Sequence, residues 1–138
     1  MGQTCIDRLL TATFADGGRG PDKFDCYGLA MHIFMLYGYS LPDYNLSAYD
    51  PEGIARKYND KEGFGDFFKQ VAGKEIPVPA LVVIRNHPTL VNHVGVYIGN
   101  GKFVHILEKV NVHTSRIDHP MWKNKIVGFY TLTLTERR

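Results

Sequence analysis

The sequence is short of cysteine, nearly balanced in charge and without a long apolar run, and each shortage removes a class of function. Its 138 residues hold two cysteines, Cys5 and Cys26, which is no disulfide framework of the kind that staples short secreted domains. The formal charge of +2 at pH 7 is small and scattered. A nucleic-acid partner would need a basic stripe interleaved with exposed aromatics, and none is visible, so no nucleic acid is expected. No apolar stretch approaches the ~20 residues that cross a bilayer, so membrane insertion is not expected either. The start, "MGQTCIDRLL", has neither a charged region leading into a long apolar run nor a small-residue cleavage site. Ile6 stands where a myristoylation signal wants Ser or Thr. The expectation is synthesis in a reducing cytoplasm, with any action elsewhere depending on delivery other than by a leader of its own. No repeat, low-complexity tract or linker divides the chain, which reads as one domain over residues 1–138, long enough to bury a core.

What the chain does hold is aromatic side chains (eight Tyr, eight Phe, one Trp) and six histidines. The segment "CIDRLLTATF" reads as a short helix. The "ADGGRGPDK" that follows is a loop, with three glycines and a proline in nine residues. From Asp25 the pattern turns helical: Cys26, Leu29, Ala30, Ile33, Phe34 and Tyr37 share one face, and Gly38 is the stop. Asp50 reads as an N-cap with Pro51 at the first helical position and Glu52 beside the helix dipole. Short helices are expected around Ile54–Tyr58 and Phe67–Val71. The second half changes period. "PALVVIRN", "HVGVYIG", "KFVHIL", "VNVHTSRI" and "IVGFYTLTL" are β-rich runs separated by turn residues. A helical half followed by antiparallel strands is an α+β domain.

Cys26 sits in "FDCYGLA", at the first turn of its helix. An unpaired cysteine is commonly a small buried hydrophobe. A catalytic reading needs a histidine to take the thiol proton and a third group to hold that histidine. His93 and His105 lie on the two arms of a hairpin around "GNG". With a two-residue Asn100-Gly101 turn, Gly99 pairs with Lys102 and the histidines point to opposite faces. With a three-residue loop, Gly95 pairs with His105, and His93 becomes its same-face diagonal neighbour at roughly 7–8 Å between backbones. The dipeptide favours the two-residue turn, whereas the chemistry requires the longer loop or a bulge.

"FDCYGLA" followed by "NHVGVYIGNGKFVHI" resembles the NlpC/P60 family of cell-wall cysteine peptidases, over about Asp16 to Tyr130. The resemblance implies a papain-like α+β fold, with N-terminal helices and the cysteine helix packed on an antiparallel sheet. It implies hydrolysis of peptidoglycan stem peptides between D-γ-glutamyl and a diamino acid, with no cofactor. Position by position, Cys26 would be the nucleophile, His93 the general base and His105 the orienting residue. A thiol at a helix N-terminus near imidazolium would be thiolate near neutral pH. The Cys26 N–H would be one oxyanion donor, with Tyr27 as a substitute for a second. Tyr27 replaces the family's usual serine and, with "LPDY", is more similar to members encoded with phage tail genes, which makes phage tail proteins the expected partners.

The sequence departs from the family in two places. Phe14 stands near the position of an upstream tyrosine whose hydroxyl helps at the oxyanion, and "VPA" at Val78–Ala80 replaces a Pro-Gly-Asp before the first long strand. Of the remaining candidates, Cys5 has no flanking motif and reads as a semi-buried helix residue. His32 reads as a flank residue, and His87, His113 and His119 as ordinary loop or strand-end side chains. No histidine pair has zinc-site spacing, so no metal is expected. Asp25 reads as an N-cap and Gly28 as a point of close approach between helix and sheet. Tyr44, Tyr49 and Trp122 are candidates to line a groove. A peptidoglycan peptidase is the leading reading. The alternative is a tail-assembly or wall-recognition module that kept the fold without activity, and the nearest enzymatic rival is an amidase or acyltransferase using the same Cys-His pair.

Overall fold

A computed structural model describes residues 6–60 and 64–133; Cys5, read above as part of a helix, lies outside the described residues. The first apolar segment closes in a 3-10 turn at Arg8–Thr11 that buries Leu9. Next come β1 (Thr13–Phe14), the glycine-rich loop, and β2 (Lys23–Phe24), which pairs with β1 in parallel. Helix α1 (Cys26–Leu36) buries Gly28, Leu29, Ala30, Ile33 and Phe34, the face that the apolar spacing marks. Gly38, at φ +92, ends it in a left-handed turn: Gly38 N–H reaches Met35 O and Tyr39 N–H reaches Phe34 O, the paired bonds of a Schellman motif.

Helix α2 (Pro51–Tyr58) starts where its cap predicts, the Asp50 carboxylate accepting from Gly53 N–H at 3.0 Å. The helix expected at Phe67–Val71 is not formed. A short α3 (Phe64–Phe67) precedes it, and Phe68–Gln70 is a strand, β3. Pairing decides the difference, because β3 fills the edge of the sheet, and the Phe68 ring stacks on Phe64 with centroids 4.6 Å apart.

The β-rich half forms β4 (Ala80–Ile84), β5 (His93–Gly99), β6 (Lys102–Leu107), β7 (Val110–Arg116) and β8 (Ile126–Leu132), with α4 (Pro120–Lys123) between the last two. With β3 they make one antiparallel sheet in the order β3-β8-β4-β5-β6-β7. The architecture is α+β. Alternation divides the sheet residues between two cores. Leu81, Val83, Val96, Val104 and Ile106 pack with Leu29, Ala30, Ile33 and Phe34 of α1. Val82, Ile84 and Phe103 pack with Trp122 of α4 on the opposite face. Each fully buried Leu, Ile or Phe contributes about 1.5–3 kcal/mol, so α1 is fixed against β5 and β6 by side chains that carry no chemistry.

Candidate active site

The start of α1 is held by a buried carboxylate. Asp25 accepts from Gly28 N–H at 2.7 Å as N-cap, from Gly17 N–H at 3.1 Å, and from Arg19 Nη1 at 2.9 Å. Three donors satisfy a charge that would otherwise be costly at 2 % exposure. Arg19 also grips Asp43 through Nε and Nη2, both at 3.0 Å, which ties the glycine-rich loop to the segment after α1. Gly28 does permit a close approach, but of that loop rather than of the sheet: a Cβ there would lie 2.0 Å from Gly18 O. The loop is therefore a clamp on the helix end that carries Cys26.

The hairpin resolves the register question by using both devices at once. Asn100 (φ 55) and Gly101 (φ 75) form a two-residue turn with Gly99 opposite Lys102, and the positive φ at both central residues is what a type I′ turn requires. The register then shifts between Tyr97 and Gly99, so that Tyr97 faces Phe103 and Val96 faces Val104. The extra residue, Ile98, is a bulge that moves His105 onto the face of His93. Gly95 keeps the space between them open, since a Cβ there would meet Val104 O at 2.9 Å and the His105 Cβ at 3.1 Å. His93 Nε2 and His105 Nδ1 are 2.9 Å apart, and His105 Nε2 lies 2.8 Å from Ser115 Oγ on β7.

Trp122 closes the back of this pair. Its ring stacks on His93 at 6.2 Å and meets His105 edge-on at 4.8 Å. His113, read from sequence as ordinary, pairs with His105 across the strands and lies over its ring at 4.2 Å. Burial holds both site imidazoles well below the ordinary histidine range, His93 to about 3, with His113 pushing the same way; the neighbouring His93 adds to the effect on His105. Neither carries charge at neutral pH.

Both histidines lie on the sheet face away from α1, yet His93 is the first residue of its strand. There the sheet ends and the helix start overhangs it. Cys26 and His93 line one slot with Asp25, Tyr27, Tyr44, Lys57 and Asn92 among its walls, and the cavity is about 60 Å³. The Val94 N–H is directed at the Cys26 sulfur. A thiolate near neutral pH, expected from the helix end and an imidazolium neighbour, is not what the site holds. Burial pushes the Cys26 thiol up to about 11, Asp25 adds to the rise, and the Val94 N–H only partly offsets it. With a neutral His93 beside it, the imidazolium that would pull the thiol down is missing.

Tyr27 does not face the slot with a free proton: its hydroxyl donates to Pro42 O at 2.6 Å. Phe14 packs edge-on against Tyr49, whose hydroxyl donates to Glu108 at 2.6 Å. Tyr44 contributes a buried hydroxyl without a hydrogen-bond partner among the described residues, and the Lys57 ammonium lies 5.2 Å from its ring centroid. Asp16 fastens the segment carrying these wall residues, accepting from Ser47 Oγ at 2.7 Å and Ala48 N–H at 2.6 Å. Among the described residues no group of three or more His, Cys, Asp or Glu could hold a metal ion.

The sequence matches the NlpC/P60 family over residues 11–131. The chain belongs to that family. Among relatives of this NlpC/P60 domain, the probable endopeptidase p60 of Listeria innocua is 28% identical over 120 residues, covering 87% of this chain and 22% of that protein. The gamma-DL-glutamyl hydrolase of Bacillus subtilis is 25% identical over 124 residues, covering 88% of this chain and 26% of that protein. The chain thus spans about a quarter or less of these two relatives. A Staphylococcus aureus NLP/P60 family structure has the same fold, at TM-score 0.63 and 20% identity over 94% of this chain and 40% of that one. Within the NlpC/P60 domain, Ser115, His113 and the Arg19 clamp are what sequence reasoning missed at the site. The alternation of "VNVHTSRI" carried a signal for the first two, since it places His113 and Ser115 on one face.

Proposed function

We propose that the domain is a cysteine peptidase of peptidoglycan stem peptides, with Cys26 as nucleophile, His93 as general base and His105 as the residue that orients it. The observation that carries this reading is the buried His93–His105 hydrogen bond, 2.9 Å long, in a slot shared with the only cysteine among the described residues. His93 spends Nε2 on His105, and Nδ1 is its other ring nitrogen. Substrate binding displaces solvent from the slot, and the Cys26 proton moves to His93 as sulfur attacks the scissile carbonyl carbon. The Cys26 backbone N–H at the helix start receives the developing oxyanion. His93 returns the proton to the leaving amine. Water, deprotonated by His93, then cleaves the thioester and frees the thiol.

The bond proposed is D-γ-glutamyl to a diamino acid; the Bacillus subtilis relative's name, a gamma-DL-glutamyl hydrolase, supports the γ-glutamyl side of it. Residues 1–138 are proposed as one catalytic domain. It acts at the bacterial cell wall, carried there with phage tail proteins, as the Tyr27 and "LPDY" resemblance suggests. A second reading, a non-catalytic tail or wall-recognition module, draws on Phe14 and on the engaged Tyr27 hydroxyl, which leave Cys26 N–H without an evident tyrosine partner at the oxyanion. Digestion of purified peptidoglycan by wild-type protein and by Cys26→Ala, read by mass spectrometry, separates the two. New termini within the stem peptide, absent with the variant, support the peptidase. No cleavage of any wall type by folded protein supports the module.

A further inference from the structure

Ser115 lies 2.8 Å from His105 Nε2, at the end of a line that runs from the slot through His93 and His105, and the proposed chemistry does not yet use it. We propose that Ser115 is a positioning residue, the terminal acceptor that lets His93 take the Cys26 proton; this rests on the reading of Cys26 and His93 as nucleophile and base. A neutral imidazole carries one N–H, so the line can run either way. Either Ser115 donates to His105, His105 donates to His93 and the His93 proton sits on Nδ1, or every bond is reversed. Only the reversed line leaves His93 Nδ1 able to accept.

Once His93 is an imidazolium, no choice remains. Its Nε2–H must donate to His105 Nδ1, His105 must carry its own proton on Nε2, and that N–H needs an acceptor. His105 is fully buried at 0 % exposure. The ring contacts on its faces come from Phe103, His113 and Trp122, and among the described residues the hydrogen bond at Nε2 is to Ser115 Oγ. Ser115 Oγ is the group that the structure provides there. Without it, a buried N–H is left unpaired in the charged form alone. An unpaired buried donor costs enough to slow the step by about 10- to 100-fold. The loss falls on the proton transfer and not on binding, because Ser115 lies behind the histidines and is not part of the slot lining.

The test compares Ser115→Thr with Ser115→Val. Both are β-branched residues suited to β7, nearly identical in shape, and differ in the hydroxyl. One readout is Cys26 alkylation by iodoacetamide at pH 7 in a Cys5→Ser background, which needs no wall substrate. The second is the histidine ring ¹⁵N spectrum, which reports which nitrogen of His105 carries the proton. Ser115→Thr should alkylate within about twofold of wild type and Ser115→Val at least about tenfold more slowly, with the His105 Nε2–H signal of wild type kept in the first and lost in the second. Equal alkylation rates and unchanged ¹⁵N signals in a folded Ser115→Val protein would overturn the proposal. Because neither readout involves peptidoglycan, a failure to cleave the wall would count against the proposed function and not against the relay.

Discussion

Acid should destabilise this domain well before its carboxylates protonate, and the histidine pair sets the size of the effect. His93 and His105 are held neutral by burial, with folded pKa values below the unfolded value of about 6.5. As pH falls, the unfolded chain therefore takes up these protons first. The stability they confer is complete above about pH 6.5 and is lost downward toward the folded values, His93 at about 3. At pH 5 each unfolded histidine lies about 1.5 units below its pKa, which is worth about 2 kcal/mol at 1.36 kcal/mol per unit. Allowing for the few tenths already lost at pH 7, the pair removes about 4 kcal/mol between pH 7 and pH 5. That is a large part of the 5–15 kcal/mol typical of a domain. Asp16, Asp43 and Asp118 have lowered pKa values, so their contributions are kept down to about pH 4 and lost below it, outside this window. Urea unfolding at pH 5, 6, 7 and 8 measures the slope directly. His93→Gln/His105→Gln, which retains hydrogen-bonding groups and cannot titrate there, should reduce it to what His32, also lowered by burial, leaves. A change under about 1 kcal/mol between pH 7 and 5, or an equal slope in the double variant, would refute the claim that the pair is neutral.

The slot and the helix clamp yield three more expectations. In a Cys5→Ser background, Cys26 alkylation should follow an apparent pKa well above the ~8.5 of a free thiol. Stability should also fall above about pH 9, where the unfolded thiol ionises before the folded one at about 11; an alkylation rate that reaches its maximum below pH 8 would contradict this. Gly28→Ala places a Cβ 2.0 Å from Gly18 O, and should lower stability by about 1–3 kcal/mol or more through overpacking. Thermal melts check it, and an unchanged melting temperature would show that the loop yields freely. Asp16→Ala removes the acceptor for Ser47 Oγ and Ala48 N–H, freeing a wall of the slot. A bulky maleimide should then label Cys26 several-fold faster with little change in the melting temperature.

How much of this was legible in the sequence depended on whether a feature is local. Helix α1 was readable because Asp25, the apolar spacing from Leu29 to Phe34 and Gly38 are all signals within one turn of what they control. The cysteine and the two histidines were readable as a motif. The approach of His93 to His105 was not, because a two-residue turn and a bulge at Ile98 act together, and only the ladder beyond the turn reveals the bulge. Phe68–Gln70 looked helical by local pattern and became a strand because β8 offered an edge to pair with. The direction of the Cys26 shift was missed for the same reason: the helix end is visible in sequence, whereas burial beside a neutral imidazole is a property of the packed site. Ser115 and His113 needed the β6–β7 register, which no stretch of either strand specifies alone.

The proposed chemistry requires Cys26 to form a bond to the substrate acyl group. It is tested most directly by mixing the protein with a synthetic stem peptide containing a γ-D-glutamyl–diamino acid bond, quenching with acid in the first turnover, and weighing the intact protein. The expected result is a mass increase equal to the acyl fragment, confined to the peptide that contains Cys26 and absent in Cys26→Ala. Cleavage of the stem peptide to the same extent by Cys26→Ala would contradict it.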